Sequence, residues 1–280
     1  MASLNLRLAE NVPGELYVDE TCIDCDTCRE LAAETFGSLG NGQSFVRKQP
    51  QSDADWRRAL MAVVSCPTAS IGAERSAAAA ARELPVLLDG PVYRCGYSSE
   101  SSYGAQSYFL QRPEGNVLID SPRFAAPLVN RLGGLGGVRL MFLTHQDDVA
   151  DHARFHERFG CDRAIHRDDD HIGAEIRLEG ERELAPGVRA IPVPGHTRGS
   201  CALLVDDRYL FTGDHLWADD EGRLGMSRSV CWYSWSVQKA SLRKLLDYRF
   251  EWVLPGHGRS LHLPAATMRS EIESLSDRLL

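Results

Sequence analysis

The sequence lacks long apolar runs and a surplus of positive charge. None of its 280 residues belong to a stretch approaching the roughly 18 apolar residues of a membrane span. Residues 1–7 carry neither the basic cluster nor the apolar segment of a secretion signal. The formal net charge of -8 opposes binding to a nucleic-acid backbone. We therefore expect a cytoplasmic protein that binds neither membrane nor nucleic acid, with enough apolar residues, 43%, for two domains.

Cysteine is present in an unusual arrangement. Cys22, Cys25 and Cys28 form C-x2-C-x2-C, and Cys66 is followed by Pro67. This spacing lets one turn of chain wrap three thiolates around an iron–sulfur cluster, with a remote fourth thiolate completing the coordination. Zinc is the alternative, although its ligands usually come as two separated pairs. The remaining cysteines lack ligand spacing, so we expect small core residues at Cys95, Cys161, Cys201 and Cys231.

Residues 15–72 resemble a single-cluster bacterial ferredoxin. The resemblance rests on Val18-Asp19 before the three cysteines, on a helix predicted from about Arg29 to Phe36, and on residues 65–71 around the fourth cysteine. It implies a small α+β ferredoxin-like domain over residues 1–72. Cysteine at every ligand position implies a [4Fe–4S] cluster. Residues 73–91, an alanine run followed by an extended segment and a turn, are predicted to be a linker.

A cluster of histidines and aspartates follows an apolar segment in the second half of the sequence. Residues 138–143 predict a buried strand, and the next nine residues include His145, Asp147, Asp148, Asp151 and His152. Because α/β folds bind ligands at the carboxyl ends of strands, this cluster predicts a site for a divalent metal rather than a solvated acidic loop.

Three later strands end in similar clusters. His196, the pair Asp214-His215, and His257 each follow an apolar run and lie beside a glycine, which frees the backbone to turn. Alone, each histidine is more typical of a hydrogen-bonded loop. In this order they predict one shared metal site.

Residues 92–270 thereby resemble the metallo-β-lactamase superfamily, in its glyoxalase-II-like branch. The resemblance implies an α/β fold, an αββα sandwich over residues 92–280, with a dinuclear metal site at one edge. It places His145 and His196 on the first metal and Asp214 between the two metals. His257, Asp151 and His152 would hold the second metal, and Asp151 and Asp214 would be catalytic. His215 has no counterpart among the family's ligands.

The first cluster departs from the family's H-x-H-x-D-H pattern. Asp147 stands at the second histidine position, and the Asp-His pair comes two residues late, at Asp151 and His152. A two-residue insertion would reconcile both ends and leaves Asp147 or Asp148 in place of the second histidine. Asp147 keeps the spacing from His145, whereas Asp148 would share a helix face with the late pair. Both remain candidate ligands.

The departure bears on the reaction. A carboxylate in place of an imidazole shifts the preference from zinc toward iron or manganese. The flavodiiron proteins of the same superfamily share this feature, and here a ferredoxin domain is fused upstream. The combination predicts a di-iron oxidoreductase that receives electrons from its ferredoxin domain, which an external donor reduces. Its small-molecule substrate would be dioxygen, peroxide, nitric oxide or an organic molecule oxidised with dioxygen.

Two other functions remain open. One is a zinc or mixed-metal hydrolase of a thioester, lactone or phosphoester, with a structural or sensing cluster. The other is an electron carrier with a vestigial, metal-free second domain. Nuclease members of the superfamily are disfavoured by the acidic charge.

The pocket wall is predicted from loop residues. Residues 216–235 form either a lid or a packed surface loop. Candidate wall residues are Tyr93, Tyr97, Tyr103, Arg123, Trp217, Cys231, Trp232, Tyr233 and Trp235. Surface positions are expected for His156, His166, His171 and His262.

Overall fold

The N-terminal part of the chain is built from short elements. The structure, a computed structural model, describes residues 1–279. The first elements are β1 (Tyr17–Val18), α1 (Thr27–Leu31), β2 (Phe36–Ser38), β3 (Ser44–Val46), α2 (Asp53–Ser65) and β4 (Ile71–Gly72). β1 pairs antiparallel with β4, and β2 with β3. A capping box starts α2: the Ser52 hydroxyl accepts from the Asp55 amide, and the Asp55 carboxylate accepts from the Ser52 amide.

The prediction of a helix from about Arg29 to Phe36 is wrong about where the helix ends. α1 stops at Leu31, and Phe36 opens β2, where it pairs with Val46. Phe36 is almost fully buried in the core of this domain. Tertiary pairing therefore overrides the local helical preference.

The rest of the chain carries most of the sheet structure. Its elements are β5 (Val86–Asp89), β6 (Val92–Arg94), β7 (Tyr108–Leu110), β8 (Val117–Ile119), α3 (Ala126–Gly134), β9 (Leu140–Phe142), α4 (His152–Phe159), β10 (Asp162–His166), β11 (Ile176–Leu178), β12 (Arg182–Ala185), β13 (Val188–Pro192), β14 (Cys201–Val205), β15 (Tyr209–Gly213), β16 (Trp217–Ala218), β17 (Leu224–Gly225), α5 (Trp235–Lys244), β18 (Trp252–Pro255), β19 (Leu261–His262) and α6 (Ala265–Arg278).

Two large sheets lie face to face. One has seven strands in the order β11-β10-β9-β8-β7-β6-β5, and the other has six in the order β12-β13-β14-β15-β18-β19. An apolar layer between them includes Phe142 and Phe211. α3 and α4 cover the outer face of the first sheet, and α5 and α6 cover that of the second. The predicted αββα sandwich is confirmed.

The end of the predicted linker belongs to the sandwich. β5 pairs antiparallel with β6 and forms an edge of the seven-stranded sheet. The alanine run ends in a short 3-10 turn, Ala80–Arg82. Residues 86–89 pair because Leu88 packs against the apolar layer between the sheets.

The two parts of the chain share a core and a buried ion pair. Met61 of α2 lies in the same apolar cluster as Leu84 and Tyr97. Glu30 of α1 and Arg94 of β6 form a salt bridge of 2.5 Å, with side chains 11% and 7% exposed. The N-terminal part is thus packed onto the sandwich. Within residues 1–279, no helix is both long and apolar enough to cross a membrane.

Candidate metal centre

The predicted ligand clusters meet at one edge of the sandwich because they follow strands of both sheets. His145 comes shortly after β9 of the first sheet. His196 comes after β13, Asp214 directly after β15, and His257 after β18, all in the second sheet. Polar side chains from distant parts of the sequence therefore surround one space.

One half of this space is formed by two imidazoles and two carboxylates. The Nε2 atom of His145 lies 3.8 Å from both Asp147 Oδ2 and Asp214 Oδ2. The Nε2 atom of His196 lies 3.5 Å from Asp147 Oδ2 and 3.8 Å from Asp214 Oδ2. Ligand atoms of His145, His196 and Asp214 lie within 4.8 Å of one another and can converge on a single metal ion, with Asp147 beside them.

The other half shares Asp214 with the first. Ligand atoms of Asp148, Asp214 and His257 lie within 4.8 Å of one another. His257 Nδ1 is 2.8 Å from Asp214 Oδ1, and its Nε2 donates to the Tyr103 carbonyl at 3.3 Å. A side chain at Gly256 would place Cβ 2.7 Å from Asp214 Oδ1 and 2.9 Å from Asp148 Oδ2, so only glycine fits there.

The unpaired atoms fit a pair of metal ions. Among the described residues, His145 Nε2, His196 Nε2 and Asp148 Oδ2 are buried with no hydrogen-bond partner. Each such atom costs about 1–3 kcal/mol. The opposite Nδ1 atoms are engaged, with Thr144 Oγ1 at 3.0 Å for His145 and the Val230 carbonyl at 2.5 Å for His196. Histidines that bind metals are oriented in this way.

Asp120, which the sequence did not single out, supports this arrangement. It follows β8 with φ of 55° and is buried. Its carboxylate accepts from the Thr144 amide at 2.8 Å and from the Thr144 hydroxyl at 3.0 Å, and that hydroxyl contacts His145. Burial raises the pKa of Asp120 to about 7 despite the hydrogen bonds from Thr144. Asp120 follows the end of β8, as the metal ligands follow the ends of their strands, and this position could have identified it from the sequence.

The electrostatics of the site favour positive charge. Burial, and then the neighbouring Asp214, raises the pKa of Asp148 well above its ordinary value. Burial lowers the pKa of His145 to about 4, so this imidazole stays neutral. Burial opposes the charge on His257, but Asp214 raises its pKa to about 10. A cation in this space would relieve the repulsion between the carboxylates.

Asp151 and His152 are not brought into the site, which corrects the prediction. Asp151 Oδ2 accepts from the Phe124 amide at 2.7 Å, and His152 Nδ1 contacts the Arg163 guanidinium at 3.0 Å. The reason is a 3-10 turn over Gln146–Asp148, which brings both earlier carboxylates to the site. Asp147 then lies with the first pair of histidines and Asp148 with His257, so no insertion is needed.

A cleft of about 930 Å³ opens onto the site. Of the predicted wall residues, Tyr103, Trp217 and Trp232 line it. Tyr103 and Trp232 are 62% and 65% exposed, with rings 6.3 Å from His257 and 6.1 Å from His196, respectively. The other predicted wall residues are not among its lining: Tyr93, Tyr97, Arg123, Cys231, Tyr233 and Trp235. Residues 216–235, predicted to be a lid or a packed surface loop, contain a hairpin of β16 and β17, a 3-10 turn at Arg228–Val230 and the start of α5.

The four spaced cysteines line one cavity in the N-terminal part. The Ser44 amide donates to Cys22 Sγ at 3.4 Å, and the Ser70 amide donates to Cys66 Sγ at 3.3 Å. Burial raises the pKa of the Cys25 thiol to about 11, so a bare thiolate there is unfavourable without a cationic partner. Four thiols around one cavity, with amides directed at sulfur, fit an iron–sulfur cluster.

Comparison with known families agrees with both sites. The model described as the 4Fe-4S single cluster domain of Ferredoxin I matches residues 18–73. The model of the metallo-β-lactamase superfamily matches residues 93–273, more than half of the chain. The chain belongs to the metallo-β-lactamase superfamily. It joins a superfamily domain with a dinuclear metal site to a single-cluster ferredoxin domain.

Solved structures share the fold of this superfamily member. VMB-1 is 15% identical with a TM-score of 0.54, over 69% of this chain and 95% of its own. The B3 metallo-β-lactamase BLEG-1 is 17% identical with a TM-score of 0.52, over 67% and 99%. A metallo-β-lactamase from Hirschia baltica is 16% identical with a TM-score of 0.51, over 69% and 96%. A search of curated protein sequences gives no match.

Proposed function

We propose that the protein is a di-iron oxidoreductase whose ferredoxin domain delivers electrons to the dinuclear centre. The observation that carries the proposal is the composition of the cleft. It is lined both by Cys25, a cluster ligand, and by Asp147, Asp148, His196, Asp214 and His257 of the metal centre. Hydrolysis needs no electrons, so a hydrolase gains nothing from this proximity.

The ligand set supports iron. Asp147 occupies the position of an imidazole in the hydrolase pattern, and Asp148 adds a second carboxylate beside the shared Asp214. Hard oxygen ligands favour iron or manganese relative to a site richer in imidazole. When bound, a di-iron pair would supply a centre that accepts electrons singly and activates a small molecule.

The remaining residues hold this centre and shape the space beside it. Asp120 and Thr144 orient His145, the Val230 carbonyl orients His196, and the Tyr103 carbonyl orients His257. The aromatic side chains of Tyr103, Trp217 and Trp232 give the cleft apolar walls. A cleft of about 930 Å³ with such walls exceeds what dioxygen or nitric oxide requires, which favours an organic substrate oxidised with dioxygen.

Metal analysis and Mössbauer spectroscopy on anaerobically purified full-length protein test the proposal. We expect iron beyond that of the cluster, in a site that responds to dithionite. Asp147→His, which places a histidine at the second position of the hydrolase pattern, should lower the ratio of iron to zinc in this site. Protein that holds only zinc beside its cluster, shows no redox response and hydrolyses a generic thioester would instead support the zinc hydrolase. Loss of that hydrolysis in His196→Ala would assign it to this site.

A further inference from the structure

The segment from Ser98 to Gly104 lies between the cluster loop and the metal centre. At its far end, the main chain of Gly104 packs directly on Cys25. A Cβ atom on Gly104 would lie 2.4 Å from Cys25 Cβ and 2.8 Å from Cys25 Sγ. With φ of +85°, Gly104 also has a backbone conformation that other residues rarely adopt. Both the close contact with Cys25 and the positive φ therefore require glycine at position 104.

Hydrogen bonds fix this contact. The Thr27 hydroxyl donates to the Gly104 carbonyl at 3.1 Å and lies 3.5 Å from Cys25 Sγ. The Gly104 amide donates to the Ser99 carbonyl at 2.8 Å, which closes the turn. Ser98 adds a hydroxyl contact to Thr27 at 3.2 Å. The segment is thus attached to the same loop that carries the cluster ligand.

Tyr103, the residue before Gly104, reaches the metal centre. The Tyr103 carbonyl accepts from His257 Nε2 at 3.3 Å, while His257 Nδ1 faces Asp214. Gln106 then pins the chain on both sides of His257, since its amide donates to the Gly256 carbonyl at 2.6 Å and its side chain donates to the Gly258 carbonyl at 2.8 Å. One van der Waals contact, one peptide unit and one hydrogen bond join Cys25 to His257.

We propose that Cys25 is the ligand through which electrons leave the cluster, and that the Tyr103–Gly104 peptide carries them to His257. This inference rests on the proposed function and adds the route. Among the described residues, Cys25 alone of the four spaced cysteines lines the cleft. Cys28 and Cys66 are buried in the core of the ferredoxin domain. Gly104 is a positioning residue, because its missing side chain sets the distance between the two sites.

The transfer step moves one electron and no atoms. With both groups bound, the electron given up by the reduced cluster would convert one ferric ion held beside His257 and Asp214 to the ferrous state. An external one-electron donor, dithionite in the experiments below, reduces the cluster again for the second ion.

The proximity can be tested without turnover. Full-length protein with an intact cluster is loaded at the second site with either Mn²⁺ or Zn²⁺ and reduced with dithionite. We expect faster spin relaxation and a broader EPR signal of the reduced cluster with paramagnetic Mn²⁺ than with diamagnetic Zn²⁺. Identical relaxation in both samples, at full metal occupancy, would overturn the proposed contact whatever the reaction is.

The route is tested by Gly104→Ala, with Gly180→Ala as the matched control. Gly180 has a similar φ of +80°, but a Cβ there would meet no atom within 4 Å. After flash reduction of the cluster in iron-loaded protein, we expect electron transfer to the metal site to slow several-fold in Gly104→Ala and to stay unchanged in Gly180→Ala. The potential of the cluster, measured in parallel, separates a changed distance from a changed driving force.

Thr27 supplies a second variant if Gly104→Ala loses its cluster. Thr27→Val keeps the shape and removes the hydroxyl that holds the Gly104 carbonyl, so transfer should slow at matched driving force, and Thr27→Ser should restore it. Transfer at the wild-type rate in Gly104→Ala or Thr27→Val would refute the route and leave the proposed function standing. No transfer in the wild type would refute the proposed function itself.

Discussion

At the scale of single residues, the ligand set divides into two groups around Asp214. Asp147 lies with His145 and His196, and Asp148 lies with His257. The two aspartates are adjacent in sequence, yet Asp148 is 2% exposed and Asp147 is 43% exposed at its side chain. Asp148 Oδ2 lies with His257 and is also 4.0 Å from His145 Nε2, so Asp148 stands between the two halves, whereas Asp147 faces only the first.

Substitution of Asp148 and of Asp151 should show which of these two carboxylates binds the second metal ion. Asp148→Asn removes the buried carboxylate beside His257 and should lose most of the second metal ion. Asp151→Asn is the matched control, because its carboxylate accepts from the Phe124 amide outside the site. Metal content by mass spectrometry measures both. Loss of the second ion in Asp151→Asn would favour the assignment from sequence, which made Asp151 a ligand.

Metal uptake should be coupled to proton release. Asp214 raises the pKa of His257 to about 10 against the effect of burial, so this imidazole is protonated at neutral pH before a metal binds. Binding needs the neutral form, so protons leave and the affinity should increase as the pH rises from about 6 to about 8. Titration calorimetry in buffers of different ionisation enthalpy measures the released protons. Uptake that does not vary with pH would contradict the raised pKa.

At the scale of elements, α1 attaches the cluster loop to the strand ends that hold the metal centre. Glu30 of α1 pairs with Arg94 of β6 and accepts from the Ser260 amide, three residues after His257. The Arg259 side chain donates to the Arg29 carbonyl at 2.5 Å. The helix that carries Cys28 is thereby fixed to the loop that carries His257.

Breaking the ion pair between Glu30 and Arg94 should destabilise the whole chain. Glu30→Gln leaves a charged guanidinium buried without its partner, which costs about 3 kcal/mol. Glu221→Gln, in the exposed pair with Arg223, is the control and should cost less than about 1 kcal/mol. Urea unfolding of cluster-loaded protein measures both. Equal costs for the two variants would show that the buried pair adds nothing beyond a surface contact.

At the scale of the whole molecule, the ferredoxin domain is a packed part of the structure. Met61 shares an apolar cluster with Leu84 and Tyr97, and the Arg123 side chain donates to the Val64 carbonyl at 2.8 Å. This packing places the cavity of the cysteines beside the cleft.

Removal of residues 1–72 should therefore damage the sandwich. The truncated chain exposes the apolar cluster around Leu84 and Tyr97 and deprives Arg94 of its partner Glu30. We expect it to aggregate, or to melt roughly 10 °C below the full chain. Thermal unfolding and size-exclusion chromatography measure this. A monomeric sandwich with an unchanged melting temperature would indicate that the two domains are independent.

Several features of the fold and site were readable from local sequence. The cysteine spacing predicted the cluster domain, and an apolar run predicted a buried strand over residues 138–143, which contain β9. Glycine beside His196, Asp214 and His257 marked the sharp turns that follow strands. These signals are local because hydrophobic pattern and turn chemistry act over a few residues.

The errors arose where the outcome depended on distant contacts. Asp151 and His152 matched the family's Asp-His pair only with a two-residue insertion, and the 3-10 turn over Gln146–Asp148 instead brings the nearer carboxylates to the site. Phe36 entered a strand because Val46 pairs with it. The edge strand β5 formed from a predicted linker because β6 lies alongside it.

The sequence by itself determined which chemical groups this protein carries: four spaced thiols, and a set of imidazoles and carboxylates at strand ends. Only the tertiary structure decided that the two sets share a cleft. The contact between Cys25 and Gly104 and the hydrogen bond from His257 to Tyr103 join residues far apart in the chain. Such contacts depend on how the two domains pack, and packing of distant surfaces leaves no local pattern in a sequence.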